Sequence, residues 1–355
     1  MARSWDIECR RSEQAEPITV VLFGLGPIGV LAGKLVHAKD RLRIVGAIDI
    51  DPAKVGKDVG DLLGVDPLGV VVSDRATDTL SQLKPDVVVQ TTCSHMPDVR
   101  SQIVDILSCG ANIVSSTEEL LYPYLQAPAI AEEIDAVAKK HKVSVLGTGV
   151  NPGFVMDTLA LLTTFACRDV RAVKVTRIVD ASTRRGPLQK KVGAAMDPEE
   201  FRRLVEEGKM GHVGLVESIA IIADALGWEL DRIEEQIAPL VAEEPIKTDY
   251  FEIAPGQVKG IHQTGGGYVG GDKLIDMELQ MFMHPDEPGD RIRITGDPGM
   301  DVRIAGGTPG DIATPAALVN AIPRVLQAPA GLVTMKDIAL PSCLMAPPVR
   351  IVGKS

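Results

Sequence analysis

The feature that most constrains this sequence is a glycine-rich turn that follows an apolar, β-branched run. The run covers Ile18–Phe23, the turn is Gly24-Leu25-Gly26-Pro27-Ile28-Gly29, and helical apolar spacing begins directly after it. In a Gly-x-Gly-x-x-Gly pattern the first glycine permits a tight turn, the second lets the backbone approach a pyrophosphate, and the third lets the helix pack on the strand. The stretch therefore predicts a dinucleotide-binding strand–turn–helix unit in which all six turn residues contact the cofactor.

A second predicted strand ends at Asp49, about 20 residues past the last glycine, where an acidic side chain contacts the adenosine ribose. Asp49 favours a free 2′-hydroxyl and hence NAD. Lys54 and Lys57 follow in the next loop and could pair with a 2′-phosphate, so NADP also stays open. Small polar residues at the ends of two further strands complete the predicted cofactor contacts: Thr91, Thr92 and Ser115.

The order of the elements predicts an α/β fold with two domains. Strand and helix patterns alternate through about residue 150, which is typical of a doubly wound parallel (Rossmann) sheet. Beyond that point successive strands separated by Pro/Gly turns indicate an α+β domain with a mainly antiparallel sheet. We expect an N-terminal extension at 1–16, a dinucleotide-binding domain at 17–150 completed by 306–355, and a substrate-binding and dimerisation domain at 151–305.

Composition narrows the possible functions. The 355 residues carry a formal net charge of −11, which argues against nucleic acid or an anionic membrane surface as partner. The apolar runs are strand-length, too short for a membrane span, and the N-terminus does not resemble a signal peptide. Five cysteines without Cys-x-x-Cys spacing argue against a zinc site and for a reducing cytoplasm. We therefore expect a cytoplasmic protein without a metal.

Five strings resemble the 2,4-diaminopentanoate dehydrogenase family, which includes NAD(P)-dependent amine dehydrogenases that act on simple amines. They are GLGPIG, DIDPAKVGKDVG, SSTEELLYP, GTGVNPGFVMDTL and RRGPLQKKVG. The similarity runs from Val20 to Pro315 and so covers most of the chain. It implies a dihydrodipicolinate reductase-like architecture, a nicotinamide cofactor, and the interconversion of an amine with a carbonyl compound plus ammonia.

Amine oxidation by hydride transfer requires a general base, because a protonated nitrogen has no lone pair to support the forming iminium. A carboxylate whose pKa is raised by burial suits that task. Glu118 directly follows a predicted parallel strand at the edge where ligands collect, and the resemblance implies that the first glutamate of this pair is catalytic. Glu119 is the alternative base, and a carboxylate in the first turn of a helix is the structural explanation of either.

The candidate substrate-binding residues come from the last parallel strand and from the second domain. The resemblance implies that Asn151, Pro152 and Phe154 line the pocket, although Asn-Pro-Gly alone is a turn signal. Arg177 and Val179 share one face of an alternating strand and could wall the substrate site; a place on the sheet surface is equally compatible. The sixth candidate is His262, a lone strand histidine of a kind that is more often structural.

Several readings of function remain open. The first is oxidation of a small amine, with a small amine or ketone and ammonia as reactants, in a homodimer expected by analogy. The second is a 2,4-diaminopentanoate dehydrogenase, whose substrate carboxylate needs an arginine clamp. A hydroxy-acid, semialdehyde or dihydrodipicolinate-type reductase, or a non-catalytic nicotinamide sensor, would share the fold. The basic run 184–191 is by default a solvated loop, with closure over the cleft as the alternative.

Overall fold

The computed structural model describes residues 16–345, so almost all of the predicted N-terminal extension lies outside the described residues. In chain order, the strands are β1 (Ile18–Phe23), β2 (Leu42–Ile48), β3 (Val72–Ser73), β4 (Val87–Gln90), β5 (Asn112–Ser115), β6 (Ser144–Gly147), β7 (Asp169–Asp180), β8 (Arg232–Val241), β9 (Ile246–Lys247), β10 (Glu252–Ile253), β11 (Val258–Val269), β12 (Asp272–Phe282), β13 (Gly289–Asp297), β14 (Met300–Ala305) and β15 (Gly331–Val333). The α-helices are α1 (Pro27–His37), α2 (Val59–Leu63), α3 (Ala76–Leu83), α4 (Met96–Ser108), α5 (Pro128–His141), α6 (Thr158–Thr164), α7 (Gly186–Lys191), α8 (Pro198–Glu206), α9 (Leu215–Leu226) and α10 (Gly310–Val325).

The first sheet has seven parallel strands in the order β15-β6-β5-β4-β1-β2-β3. The chain winds from β1 toward β3 on one side and from β4 toward β6 on the other, so the order reverses between β1 and β4. In open sheets of this kind ligands collect outside the carboxyl ends of the strands at such a reversal. Residues 310–333 return to this sheet, because α10 packs on α1 and β15 pairs with β6.

Burial on both faces explains why the first sheet reads as continuous apolar runs. Val20, Val21 and Leu22 of β1 are fully buried, and alternate residues belong to apolar cores on opposite faces. Parallel strands covered by helices on both sides need this pattern. The run that identifies β1 in the sequence is therefore a direct consequence of the layered architecture.

The second sheet has the order β14-β13-β7-β12-β11-β8, and within it only β7 and β12 pair in parallel. One face packs on α6 and α9 through apolar side chains such as Val175 and Met277. The other face carries paired polar side chains. The predicted fold class, a parallel Rossmann sheet with a mainly antiparallel second sheet, is confirmed.

Three local predictions need correction. Strands β8 and β14 were not predicted; both lie at sheet edges, and most of their side chains are partly or fully exposed. The apolar spacing of residues 155–165 predicts a helix over that range, but the helix begins only at Thr158, because the Asp157 carboxylate caps its first N–H. The basic run forms helix α7 rather than a plain loop, with Pro187 in its first turn.

A buried ion pair connects the second sheet to the loop before α10. The Arg177 guanidinium donates to Asp290 Oδ1 at 2.7 Å and to the Thr308 carbonyl at 2.8 Å, and the Thr308 N–H donates to Asp290 Oδ2 at 2.8 Å. Arg177 is 3% exposed and Asp290 2%. The charges of this pair therefore depend mainly on their protein partners, since both side chains are almost completely removed from water.

We expect Asp290→Ala to lower the free energy of unfolding by about 3–5 kcal/mol, because it leaves a buried guanidinium without a carboxylate. Asp301→Ala is the matched control. It removes the partner of Arg291 in a partly exposed pair on the neighbouring strand and should cost about 1 kcal/mol or less. Denaturant unfolding of both variants measures the difference, and equal losses would contradict a special role for the buried pair.

Candidate active site

A cleft of about 380 Å³ lies between the two sheets, at the carboxyl ends of the parallel strands. The first sheet contributes the glycine turn, the ends of β4 and β5, and the loop after β6. The second sheet contributes β7, β11 and β12, and the segments around α7 and before α9. Predicted site residues that line it are Gly26, Pro27, Ile28, Thr91, Thr92, Glu118, Asn151, Pro152, Arg177 and Val179.

The glycine turn is shaped by close backbone packing. Gly24 has φ +91°, and a Cβ on Gly29 would lie 1.9 Å from the Gly24 carbonyl oxygen. A Cβ on Gly26 would meet nothing within 4 Å, so this residue leaves open space at the cleft. No side chain caps the first turn of α1, and no acidic residue lies in it. The positive end of the helix and its free N–H groups thus fit a pyrophosphate.

Asp49 stabilises the same turn from the end of β2. Its carboxylate accepts the Leu25 N–H at 2.7 Å, the Asp51 N–H at 2.9 Å and the Lys54 ammonium at 3.1 Å. Burial alone would raise the pKa of Asp49, but these hydrogen bonds outweigh it and lower the pKa below its usual value. Asp49 is therefore a fixed carboxylate beside the turn, where a ribose contact is made in folds of this type.

The prediction for Ser115 is corrected. Its side chain is completely buried and donates to Thr117 Oγ1 at 3.0 Å, inside the sheet. Ser116 and Thr117 line the cleft in its place. Ser115 is the last residue of β5, and successive side chains along a strand point to opposite faces.

The two adjacent glutamates have different environments. Glu119 accepts from the Met96 N–H at 2.6 Å and contacts His95 Nδ1 at 2.7 Å, so both of its oxygens are held at the start of α4. Glu118 lines the cleft. Burial raises the pKa of Glu118, and its own N–H, the Ser94 side chain, Lys191 and His95 offset part of that rise. Of the pair, Glu118 is the carboxylate that a bound molecule can reach.

The loop after β6 carries an unpartnered buried acceptor. Asn151 Oδ1 is buried, and no hydrogen-bond donor reaches it within residues 16–345. A buried acceptor of this kind normally has a partner, so the cleft fits a ligand that donates one. The loop itself is fixed by the fully buried Asp157, which accepts from the Gly153 N–H and the Ser218 hydroxyl, each at 2.8 Å.

Two predicted substrate residues lie away from the cleft. Gly153 has φ +125°, and the chain turns there, so that Phe154 lines a separate cavity of about 240 Å³. His262 lies on the opposite face of β11 from Ile261, which does line the cleft. Its Nε2 is 3.0 Å from Glu278 Oε1 on the neighbouring strand. Strand alternation explains this placement, since successive side chains point to opposite faces.

The structure also brings His212 into the cleft, which the sequence analysis missed. Gln263 holds its backbone, accepting the His212 N–H at 2.9 Å and donating to its carbonyl at 2.8 Å. Burial and the nearby cations Lys191, Arg177 and Arg184 lower the pKa of His212 to about 3, so the imidazole is neutral. The available sequence signal for His212 was its position between two glycines, Gly211 and Gly214. Both glycines adopt positive φ in the structure.

The segment 184–191 forms part of the rim of the cleft. Arg184 pairs with Asp311 on α10 at 3.0 Å, and Arg185 is 4.0 Å from the same carboxylate. Lys191 also lines the cleft. The basic run thus contacts α10 through Asp311, and closure over the cleft stays a prediction.

Three or more His, Cys, Asp or Glu side chains are nowhere grouped as metal ligands in the range 16–345. A helix both long and apolar enough to cross a membrane is likewise absent from it.

The fold and the cleft together define an NAD(P)-dependent oxidoreductase. Two family models match the chain: the 2,4-diaminopentanoate dehydrogenase C-terminal domain over residues 154–353, and the dihydrodipicolinate reductase N-terminus over residues 18–120. The chain belongs to the 2,4-diaminopentanoate dehydrogenase family. The predicted family and the use of NAD(P) are thereby confirmed.

The chain is similar to individual relatives over almost its whole length. The 2,4-diaminopentanoate dehydrogenase of Acetoanaerobium sticklandii is 34% identical over 93% of this chain and 96% of that protein. An amine dehydrogenase of Streptomyces virginiae is 28% identical over 91% and 96%. The solved structure of an amine dehydrogenase from Mycobacterium smegmatis has a TM-score of 0.81 at 26% identity, covering 92% of this chain and 97% of that one.

We expect Gly29→Ala and Gly26→Ala to separate folding from cofactor binding. The alanine at 29 would clash with the Gly24 carbonyl and should destabilise the protein by about 2 kcal/mol or more. The alanine at 26 meets open space, so it should leave stability within about 0.5 kcal/mol and weaken NAD binding. Thermal unfolding and fluorescence titration with NADH measure the two effects. Unchanged NADH binding by Gly26→Ala would contradict a pyrophosphate position at this turn.

Proposed function

We propose that the protein catalyses the reversible oxidative deamination of a small amine to a ketone or aldehyde plus ammonia, with Glu118 as general base. The main support for this proposal is that the two glutamates have different environments. Both carboxylate oxygens of Glu119 are bonded at the start of α4, whereas Glu118 lines the cleft beside the glycine turn. The relatives named amine dehydrogenase support the choice of reaction.

The raised pKa of Glu118 suits both directions of this reaction. The Glu118 carboxylate takes a proton from the bound ammonium, which frees the lone pair on nitrogen. A nicotinamide cofactor held at the glycine turn would supply the acceptor for the hydride on the carbon next to that nitrogen. Water then adds to the resulting substrate iminium, and ammonia leaves as the carbonyl forms. In reverse, the same carboxylate deprotonates ammonium before it attacks the carbonyl.

Other residues of the cleft suit a small amine. Asn151 Oδ1, a buried acceptor, is placed to receive an N–H from the substrate nitrogen. Val179, Ile261 and Met281 supply an apolar wall from the second sheet, which matches an alkyl group. Arg177 also lines the cleft, but its charge is already paired with Asp290. We therefore assign Arg177 to support the wall rather than to bind substrate directly.

A diamino acid is the second candidate substrate. Arg184, Arg185 and Lys191 line the cleft, and a substrate carboxylate could pair with them in place of Asp311. The relative from Acetoanaerobium sticklandii supports this alternative. A hydroxy-acid, semialdehyde or dihydrodipicolinate-type reductase is less well supported. The histidine of the cleft is neutral, and Lys191 is exposed at the rim, so neither is placed as a buried cationic proton donor.

We propose a preference for NAD over NADP. The Lys54 ammonium, which could have met a 2′-phosphate, is 3.1 Å from Asp49 and 3.3 Å from Asp51. A phosphate placed there would face two carboxylates. Lys57 remains available nearby, so we expect a preference rather than an absolute exclusion.

We also propose that the protein is a cytoplasmic homodimer. The polar face of the second sheet, opposite α6 and α9, keeps side chains such as His262 and Glu278 about a third exposed. This broad face is the surface that we assign to a second copy, and residues 151–305 are the domain that would supply it. Four cysteines among the described residues are free thiols, which supports a reducing compartment.

We expect Glu118→Gln to reduce amine oxidation about 100-fold or more, because it removes the general base. NADH affinity and melting temperature should stay close to those of the wild type. Glu119→Gln is the control: it weakens the contacts at the start of α4 and should lower the melting temperature while keeping most of kcat. Retained turnover in Glu118→Gln would disprove the assignment of the base.

Initial rates at alkaline pH decide between the two substrate classes. We expect reduction of NAD with a simple amine such as cyclohexylamine or 2-aminobutane, and slower reduction of NADP. A rate only with 2,4-diaminopentanoate would show that the cationic rim binds a carboxylate and would establish the second candidate. No rate with either compound would count against both.

A further inference from the structure

The cations of the cleft differ in how their charge is compensated. Arg177 is paired with Asp290, and Arg184 and Arg185 share Asp311. Lys191, at the end of α7, also lines the cleft, but it forms no ion pair with any carboxylate in residues 16–345. Among the described cations that line the cleft, Lys191 is therefore the one whose positive charge has no carboxylate paired with it.

Glu118 stands in the same cleft without a cation bonded to it. No lysine or arginine in residues 16–345 forms an ion pair with its carboxylate, and burial raises its pKa. An ionised carboxylate in a partly buried site is costly unless a positive charge lies nearby. Lys191 lines the same cleft as Glu118, and its uncompensated positive charge opposes the rise in the pKa of Glu118 that burial causes.

The other titratable groups of the cleft do not take this role. His95 is engaged by Glu119, His212 is neutral, and Asp311 is held by two arginines. Cys93 is an exposed thiol. The titratable and charged groups that line the cleft with Glu118 are Cys93, Arg177, Arg184, Arg185, Lys191, His212 and Asp311; His95 and Glu119 lie beside it, and buried Glu217 lies on α9, which packs against residues 118–121.

We propose that Lys191 is a positioning residue that keeps the Glu118 carboxylate ionised and ready to accept the substrate proton. This inference rests on the proposed role of Glu118 as base. Burial raises the pKa of Glu118, which makes its carboxylate a better proton acceptor. The positive charge of Lys191 on α7 limits that rise, so the carboxylate stays ionised before the substrate binds. Helix α7 thereby links the basic run of the sequence to the chemistry on the first sheet.

Removing the charge should raise the pKa of Glu118, so a higher pH would be needed to ionise it. In Lys191→Met we expect the acidic limb of the kcat/KM profile for a simple, carboxylate-free amine to move up by about 0.5–1 pH unit. Activity should approach that of the wild type at alkaline pH. Lys191→Arg should restore most of the wild-type profile because it restores the charge.

Lys190→Met is the matched control. It removes the same charge from the preceding position on α7, which is exposed and does not line the cleft. Its profile should coincide with that of the wild type. If the acidic limb shifted equally in both variants, the cause would be the general surface charge and not the position of Lys191, which would overturn the proposal. A loss in Lys191→Met seen only as a higher KM for 2,4-diaminopentanoate, with an unmoved acidic limb, would show carboxylate binding instead and also overturn it.

An infrared titration makes the test independent of turnover. The protonated-carboxyl band that is absent from Glu118→Gln reports the pKa of Glu118 directly, and its midpoint should be higher in Lys191→Met. An unchanged midpoint together with an inactive Glu118→Gln would defeat this inference and leave the proposed function intact. Retained turnover in Glu118→Gln would defeat the proposed function, whatever the titration shows.

Discussion

The close approach of α1 to the end of β1 determines where the rest of the cleft can lie. At Gly29 the helix backbone leaves no space for a side chain against the Gly24 carbonyl, and Asp49 holds the turn from β2. This contact directs the positive end of α1 toward the reversal point of the parallel sheet. The ends of β4 and β5 meet at the same edge, so Glu118 faces the space that the helix end opens.

The second sheet supplies the opposite wall and most of its charge. The buried pair of Arg177 and Asp290 joins that sheet to the loop before α10, and Arg184 joins α7 to α10 itself. The wall is therefore held to the first sheet through charged groups that are already paired. Among the described residues of the cleft, three groups have no charged partner of this kind: the partly buried Glu118 carboxylate, the buried Asn151 Oδ1 and the exposed Lys191 ammonium. This combination is suited to moving a proton from a substrate nitrogen.

The sequence predicts best what local patterns encode. The strand–turn–helix unit, the parallel and antiparallel halves and the family all follow from periodicity, glycine spacing and long specific strings. Side-chain direction is less predictable, because a shift of one residue reverses it: His262 and Ser115 lie on the other side from the expected contacts, and Gly153 turns Phe154 away. His212 was not singled out, and the basic run that contains Lys191 was by default assigned to a solvated loop, because only tertiary packing brings these segments to the cleft.

Single-turnover hydride transfer from an amine deuterated at the reacting carbon tests the central claim most directly. If Glu118 is the base in a partly buried cleft, the rate should show a primary isotope effect and should rise through one ionisation above the ordinary pKa of a glutamate. Replacement of Glu118 should remove that ionisation from the profile. A rate that does not change across the range in which carboxyl groups titrate, or a profile that survives the replacement, would contradict the account.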